Sequence, residues 1–177
     1  RPARCVSRRR LDGVLLARAE AAGAQIERGV TVRAIEETVR LDDGAELRPE
    51  ALFLASGKHD VRGLVRPVEA RGDDPMLGLR IRIAAAPALA RAVGDAIELH
   101  LFDRGYCGVA LQEDGSANAC MAVHRSRLSE AGDPEALLLA LPEECPALGE
   151  RLAFRSGSEP IHAVANVPYG WGWHRDT

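Results

Sequence analysis

The most informative part of the chain is the stretch LFLASGKHDVRG at residues 52–63. It opens with four apolar residues, too few for a helix, and turns at Ser56-Gly57, so it predicts a buried strand that stops abruptly. Four of the five residues after Gly57 carry ionisable side chains. α/β proteins use such a strand and turn to bring backbone amides against a ligand at the carboxyl end of a sheet.

The residues before this stretch predict a helix followed by short strands. Ser7 or Asp12 is suited to cap a helix with apolar residues at helical spacing, and Gly23 is placed to end it. Residues 30–35 alternate in the manner of a strand, and Asp43-Gly44 marks a hairpin between two more strands. Together with the buried strand at 51–55, this segment predicts a helix, a strand, a meander and a strand.

The second half of the chain predicts an antiparallel sheet with helices. Residues 66–75 are polar and irregular, which marks a boundary between two structural layers. Short alternating segments joined by tight turns predict strands that pair antiparallel. The predicted strands are 77–83, 96–102, 106–112, 117–124 and 161–167. The predicted helices are 87–93, one that starts at Asp133 and is interrupted at Pro142, and 146–152.

The composition is typical of a soluble globular protein. The chain has 177 residues, enough for one domain or two small ones, and its 46% hydrophobic content is enough for a core. The net charge of -3 is small, and the 23 basic residues are scattered except for Arg8-Arg9-Arg10, which argues against a nucleic acid partner. No apolar run is long enough to cross a membrane. The four cysteines lie far apart without metal-ligand spacing, which predicts free thiols, no metal site and a cytoplasmic location.

Several of these features together resemble one group of flavoproteins. The pattern Ser7-Arg8-x-x-Leu11-Asp12, the helix, the alternating strand, the hairpin and the stretch 54–63 are similar to the middle of the p-hydroxybenzoate hydroxylase-like proteins. That group of FAD-dependent oxidoreductases includes aromatic-ring monooxygenases and geranylgeranyl reductase-like enzymes. The segment Gly105–Val109 and the hairpin after it are similar to the sheet that covers the flavin in the reductase-like members.

The resemblance implies particular binding residues. Arg8 matches an arginine near the FAD pyrophosphate, and a guanidinium group is suited to phosphate. Gly57 matches a glycine beside the flavin, whereas Ser56 stands where an acid is usual. The implied cofactor-binding residues are Arg8, Ser56, Gly57, Lys58, Asp60 and Arg62, and the implied substrate-binding residues are Tyr106, Cys107 and Trp171. His59 is the candidate for a proton shuttle, because histidine titrates near neutral pH.

The resemblance also divides the chain. It implies an incomplete FAD-binding segment at 1–66, an antiparallel-sheet substrate domain with helices on one face at 67–164, and a return segment at 165–177. The class is α+β, a fragment of an α/β flavoprotein, and the Gly-x-Gly-x-x-Gly and Gly-Asp motifs of the group are expected outside Arg1 and Thr177. The strand at 51–55 then lacks its usual neighbour, so a homodimer or a rearrangement is expected to satisfy its backbone.

Each site assignment has a simpler alternative. Arg8 fits a solvated arginine equally well, and Ser56-Gly57 fits a tight turn between a strand and a loop. The charged loop around His59 fits a wet surface, and Cys107 fits a small packing residue, since no histidine neighbours it in sequence. Trp171 is suited either to stack on a ring or to fill a seam between domains.

Two functions of different classes follow from these alternatives. The first is a portion of a FAD-dependent monooxygenase or reductase that acts on a small apolar, aromatic or isoprenoid-like substrate, with NAD(P)H as the hydride donor. The second is a cofactor-free, catalytically silent α+β module that binds an apolar ligand or a second copy of itself. A yellow full-length protein would favour the first, and a colourless one without FAD affinity would favour the second.

Overall fold

The computed structural model describes residues 5–167, which fall into two compact units. One unit comprises residues 12–70, and the other comprises residues 5–11 and 71–167. Helix α1, Arg8–Ala21, begins after Ser7, whose hydroxyl accepts a hydrogen bond from the Arg10 amide at 3.3 Å. The predicted helix, with Ser7 as its cap, is confirmed. None of the described helices is long and apolar enough to cross a bilayer.

The unit at 12–70 contains a three-stranded antiparallel meander. Its strands are β1 Val32–Ile35, β2 Val39–Leu41 and β3 Glu46–Leu47, paired in that order. The Leu41 amide donates to the Ala45 carbonyl at 2.9 Å, which closes the hairpin predicted at Asp43-Gly44. The meander and hairpin are therefore confirmed.

The buried strand predicted at 51–55 is wrong. Leu52, Phe53 and Leu54 are 48%, 92% and 42% exposed, and no described residue pairs with this segment in a sheet. An isolated strand leaves its backbone donors and acceptors without partners, so apolar character alone does not make one. The segment instead presents three large apolar side chains at the surface.

The second unit is built on a five-stranded antiparallel sheet, as predicted. Its spatial order is β5-β6-β7-β4-β8, so the first strand in sequence lies next to the last. The strands are β4 Met76–Ile83, β5 Ile97–Phe102, β6 Gly105–Leu111, β7 Ala117–His124 and β8 His162–Val167. The tight turns between β5, β6 and β7 give full antiparallel registers along these strands.

Helices cover one face of this sheet. They are α2 Pro87–Val93, α3 Arg125–Ala131, α4 Pro134–Glu144 and α5 Pro146–Leu152. Alternation in β4 buries Leu79, Ile81 and Ile83 and exposes Arg80 and Arg82. The buried strand residues form one core with apolar residues of α2, α4 and α5, including Leu89, Leu137, Leu141 and Leu148. The α+β class with helices on one face of an antiparallel sheet is confirmed.

Pro142 does not interrupt the helix, contrary to the prediction. Helix α4 continues through Pro142 to Glu144, and the Cys145 amide donates to the Leu141 carbonyl at 2.8 Å. An internal proline costs about 3 kcal/mol in an isolated helix. Burial of Leu137, Leu138 and Leu141 stabilises this helix by on the order of 6 kcal/mol, which outweighs that cost.

Helix α3 was not predicted from the sequence. Its cap comes from Asp74, which accepts hydrogen bonds from the Ser126 amide at 2.9 Å and from the Ser126 hydroxyl at 2.7 Å. These two hydrogen bonds hold the pKa of Asp74 below its usual range, and the bond from the Ser126 hydroxyl has the larger effect. The cap lies 52 residues away in sequence, so no local pattern announces this helix.

We expect Asp133→Ala to lower the free energy of unfolding by about 1 kcal/mol, the usual cost of losing a helix cap. The Asp133 carboxylate accepts from the Ala136 amide at 2.8 Å and begins α4. Urea unfolding followed by circular dichroism measures the loss, and Asp95→Ala in the exposed turn after α2 is the control. Equal midpoints for the two variants would contradict this role of Asp133.

Candidate functional site

The residues predicted to lie beside a cofactor form a tight turn. The Ser56 hydroxyl donates to the His59 carbonyl at 2.8 Å, and the His59 amide donates to the Ser56 carbonyl at 3.4 Å. Gly57 has a φ of +65°, and among the described residues no heavy atom beyond its chain neighbours comes within 4 Å of a Cβ built there. The conformation favours glycine, and the backbone at Gly57 is open to the approach of a ligand.

Arg66 holds this turn in place. Its guanidinium donates to the Asp60 carboxylate at 2.9 Å, to the Lys58 carbonyl at 3.3 Å and to the Gly57 carbonyl at 2.5 Å. The Arg66 and Asp60 side chains are only 18% and 26% exposed, so solvent screens this pair weakly. Sequence reasoning missed Arg66. The sequence signal that could have identified it is the pair of opposite charges formed by Asp60 and Arg66, which lie three residues before and three residues after Gly63.

The turn is joined to the meander through its last residues. The Ile35 amide donates to the Arg62 carbonyl at 2.8 Å, and Ala34 and Arg62 form a parallel bridge. Gly63 follows at a φ of +90°, pressed against the Ile35 carbonyl. The structure therefore brings Ser56, Gly57, Lys58, His59, Asp60 and Arg62 together in one loop of the unit at 12–70.

Arg8 lies in the other unit, in the first turn of α1. That turn carries no acidic residue, so the positive end of the helix dipole adds to the charge of three arginines. The carboxylate of Glu113 lies at this end and accepts from the Ser7 amide at 2.9 Å and the Ser7 hydroxyl at 2.5 Å. The Ser7 hydroxyl, then the Ser7 amide, hold the pKa of Glu113 below its usual range, and the charge of Arg10 adds to this. The end of α1 thus favours an anion.

Tyr106 lies on the face of the five-stranded sheet that the helices leave open. The neighbouring side chains on this face are apolar: Ile97, Leu99 and Leu101 are 56%, 64% and 70% exposed. Leu101 pairs with Tyr106 and Leu99 pairs with Gly108, so the absence of a side chain at Gly108 leaves room beside the two leucines. The β5 and β6 part of this open face is an apolar platform with one phenol group on it, and Arg80 and Arg82 of β4 are exposed further along the same face.

Cys107 does not share that face, which corrects its assignment as a substrate-binding residue. Successive side chains in a strand point to opposite faces, so Cys107 points into the core and has no exposed surface. Burial raises the pKa of its thiol to about 12, and the nearby Cys120 and Cys145 add to that shift. The alternative interpretation, a packing residue, is the one the structure supports.

Trp171, the third predicted substrate-binding residue, lies outside the described residues. Two pockets of about 380 Å³ in the sheet unit are lined by residues other than those predicted from the sequence. Within residues 5–167, no group of three or more histidines, cysteines or acids is arranged to hold a metal ion.

Comparison with known proteins gives matches of structure only. No family model matches the chain, and no curated protein matches it in sequence. The halogenase PltM aligns at a TM-score of 0.63 with 15% identity, over 91% of this chain and 36% of the halogenase. The myxobacterial chondrochloren halogenase CndH, a FAD-dependent halogenase, aligns at 0.54 with 21% identity, over 93% of this chain and 41% of its own. A mutant of PqsL from P. aeruginosa aligns at a TM-score of 0.51 with 21% identity, over 87% of this chain and 45% of the PqsL chain.

This chain has the fold of a segment of FAD-dependent halogenases. It spans a little over a third of the length of PltM, which has also been crystallised as a mutant in complex with FAD. At these identities the likeness shows the fold alone. The resemblance to FAD-dependent oxidoreductases is therefore supported at the level of the fold.

Proposed function

We propose that the chain is a portion of a FAD-dependent oxidoreductase of the monooxygenase or reductase type, and that its sheet receives the substrate. The observation that carries this proposal is the open apolar face around Tyr106, on a fold found in FAD-dependent halogenases. An exposed apolar patch of this kind is typical of a binding surface. FAD, when bound, would supply the redox chemistry, with NAD(P)H as the proposed donor of the hydride.

The residues of the loop fit a flavin. Gly57 offers open backbone, Phe53 offers an exposed ring, and the charged Lys58, which follows Gly57 in sequence, is exposed. A planar apolar ring system with a phosphate tail needs this combination of open backbone, apolar surface and positive charge. We propose that Ser56, Gly57, Lys58, Asp60 and Arg62 contact the cofactor, with His59 placed to move a proton, and that Arg8 binds its pyrophosphate.

The proposed substrate is a small apolar or aromatic molecule. Leu99, Leu101 and Tyr106 offer apolar contact area, and the Tyr106 hydroxyl offers one hydrogen-bonding group to orient a polar substituent. The β5 and β6 part of this face carries a single polar group, so contacts there discriminate by shape more than by charge. Isoprenoid-like chains and aromatic rings both meet that requirement.

The test is FAD binding by the protein encoded by the complete reading frame. We expect it to purify yellow, and we expect Arg8→Gln to weaken FAD binding about tenfold, the effect of losing one charge-assisted hydrogen bond of about 1.5 kcal/mol. Arg9→Gln, in the same turn of α1, is the matched control. Fluorescence titration of the apoprotein gives both affinities, and bleaching of the flavin absorbance by NADH or NADPH without oxygen tests the donor.

A colourless complete protein without FAD affinity would overturn the proposal and favour the cofactor-free binding module. A halogenating enzyme is a second candidate. It is favoured by the TM-scores of the two halogenases, which are higher than that of the PqsL mutant. The two oxidoreductase types differ in one requirement, since only halogenation consumes a halide. Product formation with and without added bromide separates them.

A further inference from the structure

A chain of four polar side chains lies on the helix-covered side of the sheet, away from the open face that carries Tyr106. Cys145 lies between α4 and α5, with its Sγ 3.9 Å from Nδ1 of His100 on β5. The Nε2 of His100 lies 3.0 Å from Oε2 of Glu98 on the same strand. Arg151 of α5 then holds both Glu98 oxygens at 2.8 to 3.1 Å. The proposed function uses none of these four residues.

The order of these contacts fixes the histidine tautomer. Burial works to raise the pKa of Glu98, but hydrogen bonds from Arg151 and His100 outweigh it and lower that pKa below its usual range. Glu98 is therefore a carboxylate that only accepts hydrogen bonds, so Nε2 of His100 must carry the proton. Nδ1 is left as the acceptor that faces the thiol of Cys145.

The three supporting side chains are held firmly. The side chains of His100, Glu98 and Arg151 are 10%, 17% and 15% exposed, and Arg151 also donates to the Ala92 carbonyl at 3.3 Å. Cys145 itself is partly exposed, unlike the fully buried Cys107. A nucleophile, a base within reach and a carboxylate that orients the base form an arrangement that activates thiols in proteins. Hydrogen bonds between catalytic groups are often long until a reactant binds, so a separation of 3.9 Å is compatible with this role.

The other three cysteines lack this arrangement. Cys5 and Cys120 are exposed, and Cys107 is buried. Cys120 accepts a hydrogen bond from the Asn118 amide, a group that cannot take a proton. No hydrogen bond between a histidine and any of these three thiols is found among the described residues.

We propose that Cys145 is a nucleophilic thiol, activated by His100, and the site at which hydrogen peroxide oxidises this protein. The thiol proton passes to Nδ1 of His100, and the sulfur lone pair forms a bond to one peroxide oxygen while the O–O bond breaks. The leaving hydroxide takes the proton from His100 and becomes water. Sulfur is oxidised by two electrons to a sulfenic acid, and the peroxide is reduced to water.

The proposal is tested in the 177-residue chain by comparing the labelling rates of its own cysteines. An ordinary thiol is only a few per cent ionised at pH 7, so full activation accelerates it by at most about 30-fold. We expect trace labelling with iodoacetamide at pH 7 to modify Cys145 about tenfold faster than Cys5 or Cys120, measured by mass spectrometry of tryptic peptides. After hydrogen peroxide, dimedone should attach to Cys145. Equal labelling of the three thiols, or dimedone on Cys5 or Cys120 instead, would overturn the proposal.

Variants test the role of His100. We expect His100→Gln to lower the labelling rate of Cys145 about tenfold. His162→Gln, at an exposed residue of β8, is the matched control and should change nothing. Cys107 reports on folding, because it reacts only when the core opens. If Cys107 becomes reactive in His100→Gln, that variant has lost its fold and Glu98→Gln is tested in its place. Glu98→Gln should also lower the labelling rate of Cys145. An unchanged rate in the folded variant would overturn the role of the histidine.

Discussion

Gly63→Ala is expected to destabilise the unit at 12–70 by about 3 kcal/mol, because the new methyl group has no space. A Cβ at Gly63 would lie 1.9 Å from the Ile35 carbonyl oxygen and 2.8 Å from its carbon. Both atoms belong to the backbone of β1, next to the hydrogen bond from the Ile35 amide to the Arg62 carbonyl. Relief of the overlap must move that backbone. Alanine at a φ of +90° adds a strain of about 1–2 kcal/mol.

Gly29→Ala is the matched control for this prediction. Gly29 lies in the same unit at a φ of +77°, but a Cβ built there meets no heavy atom within 4 Å. It should therefore cost only the conformational strain of about 1 kcal/mol. Hydrogen exchange at the Ile35 amide and urea unfolding measure both variants. Similar losses for the two would show that the close approach to Ile35 does not decide the stability.

Gly63 also bears on the candidate site. The bridge between Ala34 and Arg62 and the Ile35 hydrogen bond together fix where the loop 56–62 joins the meander. If Gly63→Ala moves this junction, the Ser56 to His59 turn moves with it. The stability of β1 and the position of the loop are therefore linked through one glycine.

The sheet could be predicted from the sequence because its signals are local. Alternation in β4 places Arg80 and Arg82 on one side and Leu79, Ile81 and Ile83 on the other, and no distant residue is needed to see this. The turns between β5, β6 and β7 are short enough to force antiparallel pairing. Helix α4 likewise begins at its own cap, Asp133.

The features that could not be predicted depend on residues far apart in the chain. The segment 51–55 has the composition of a buried strand, but a strand needs a neighbour, and none of the described residues pairs with it. Helix α3 depends on Asp74, which lies 52 residues before Ser126 in the chain. Hydrophobic pattern and propensity contain neither relation.

The assignment of Cys107 failed for a different reason, since the information was present in the sequence. Tyr106 and Cys107 are adjacent in a strand, and adjacent residues cannot line the same face. The alternation buries Cys107 and Val109 and leaves Tyr106 on the open side. Applied to the whole of β6, this rule places Tyr106, Gly108 and Ala110 on the open face, and Tyr106 has the largest side chain of the three.

Arg66→Met is expected to release the loop that carries most of the proposed cofactor contacts. Methionine keeps the length of the apolar stem but removes the donors to the Gly57 and Lys58 carbonyls and to Asp60. We expect FAD affinity of the complete protein to fall about 30-fold, or about 2 kcal/mol, because a charge-assisted hydrogen bond contributes about 1.5–3 kcal/mol. Fluorescence titration with FAD gives the affinity, and amide exchange at residues 57–60 gives the order of the loop.

Arg40→Met is the control for this variant. Arg40 pairs with Glu36 in the same unit, but at 3.9 Å and with side chains 44% and 59% exposed, so its removal should cost about 0.3 kcal/mol and leave FAD binding unchanged. If Arg66→Met leaves the amides at 57–60 protected, Arg66 does not hold the loop. If those amides lose protection while FAD affinity stays at the wild-type value, Arg66 holds the loop but the loop does not bind the cofactor. The two measurements therefore separate the structural role of Arg66 from the proposed function of the turn it supports.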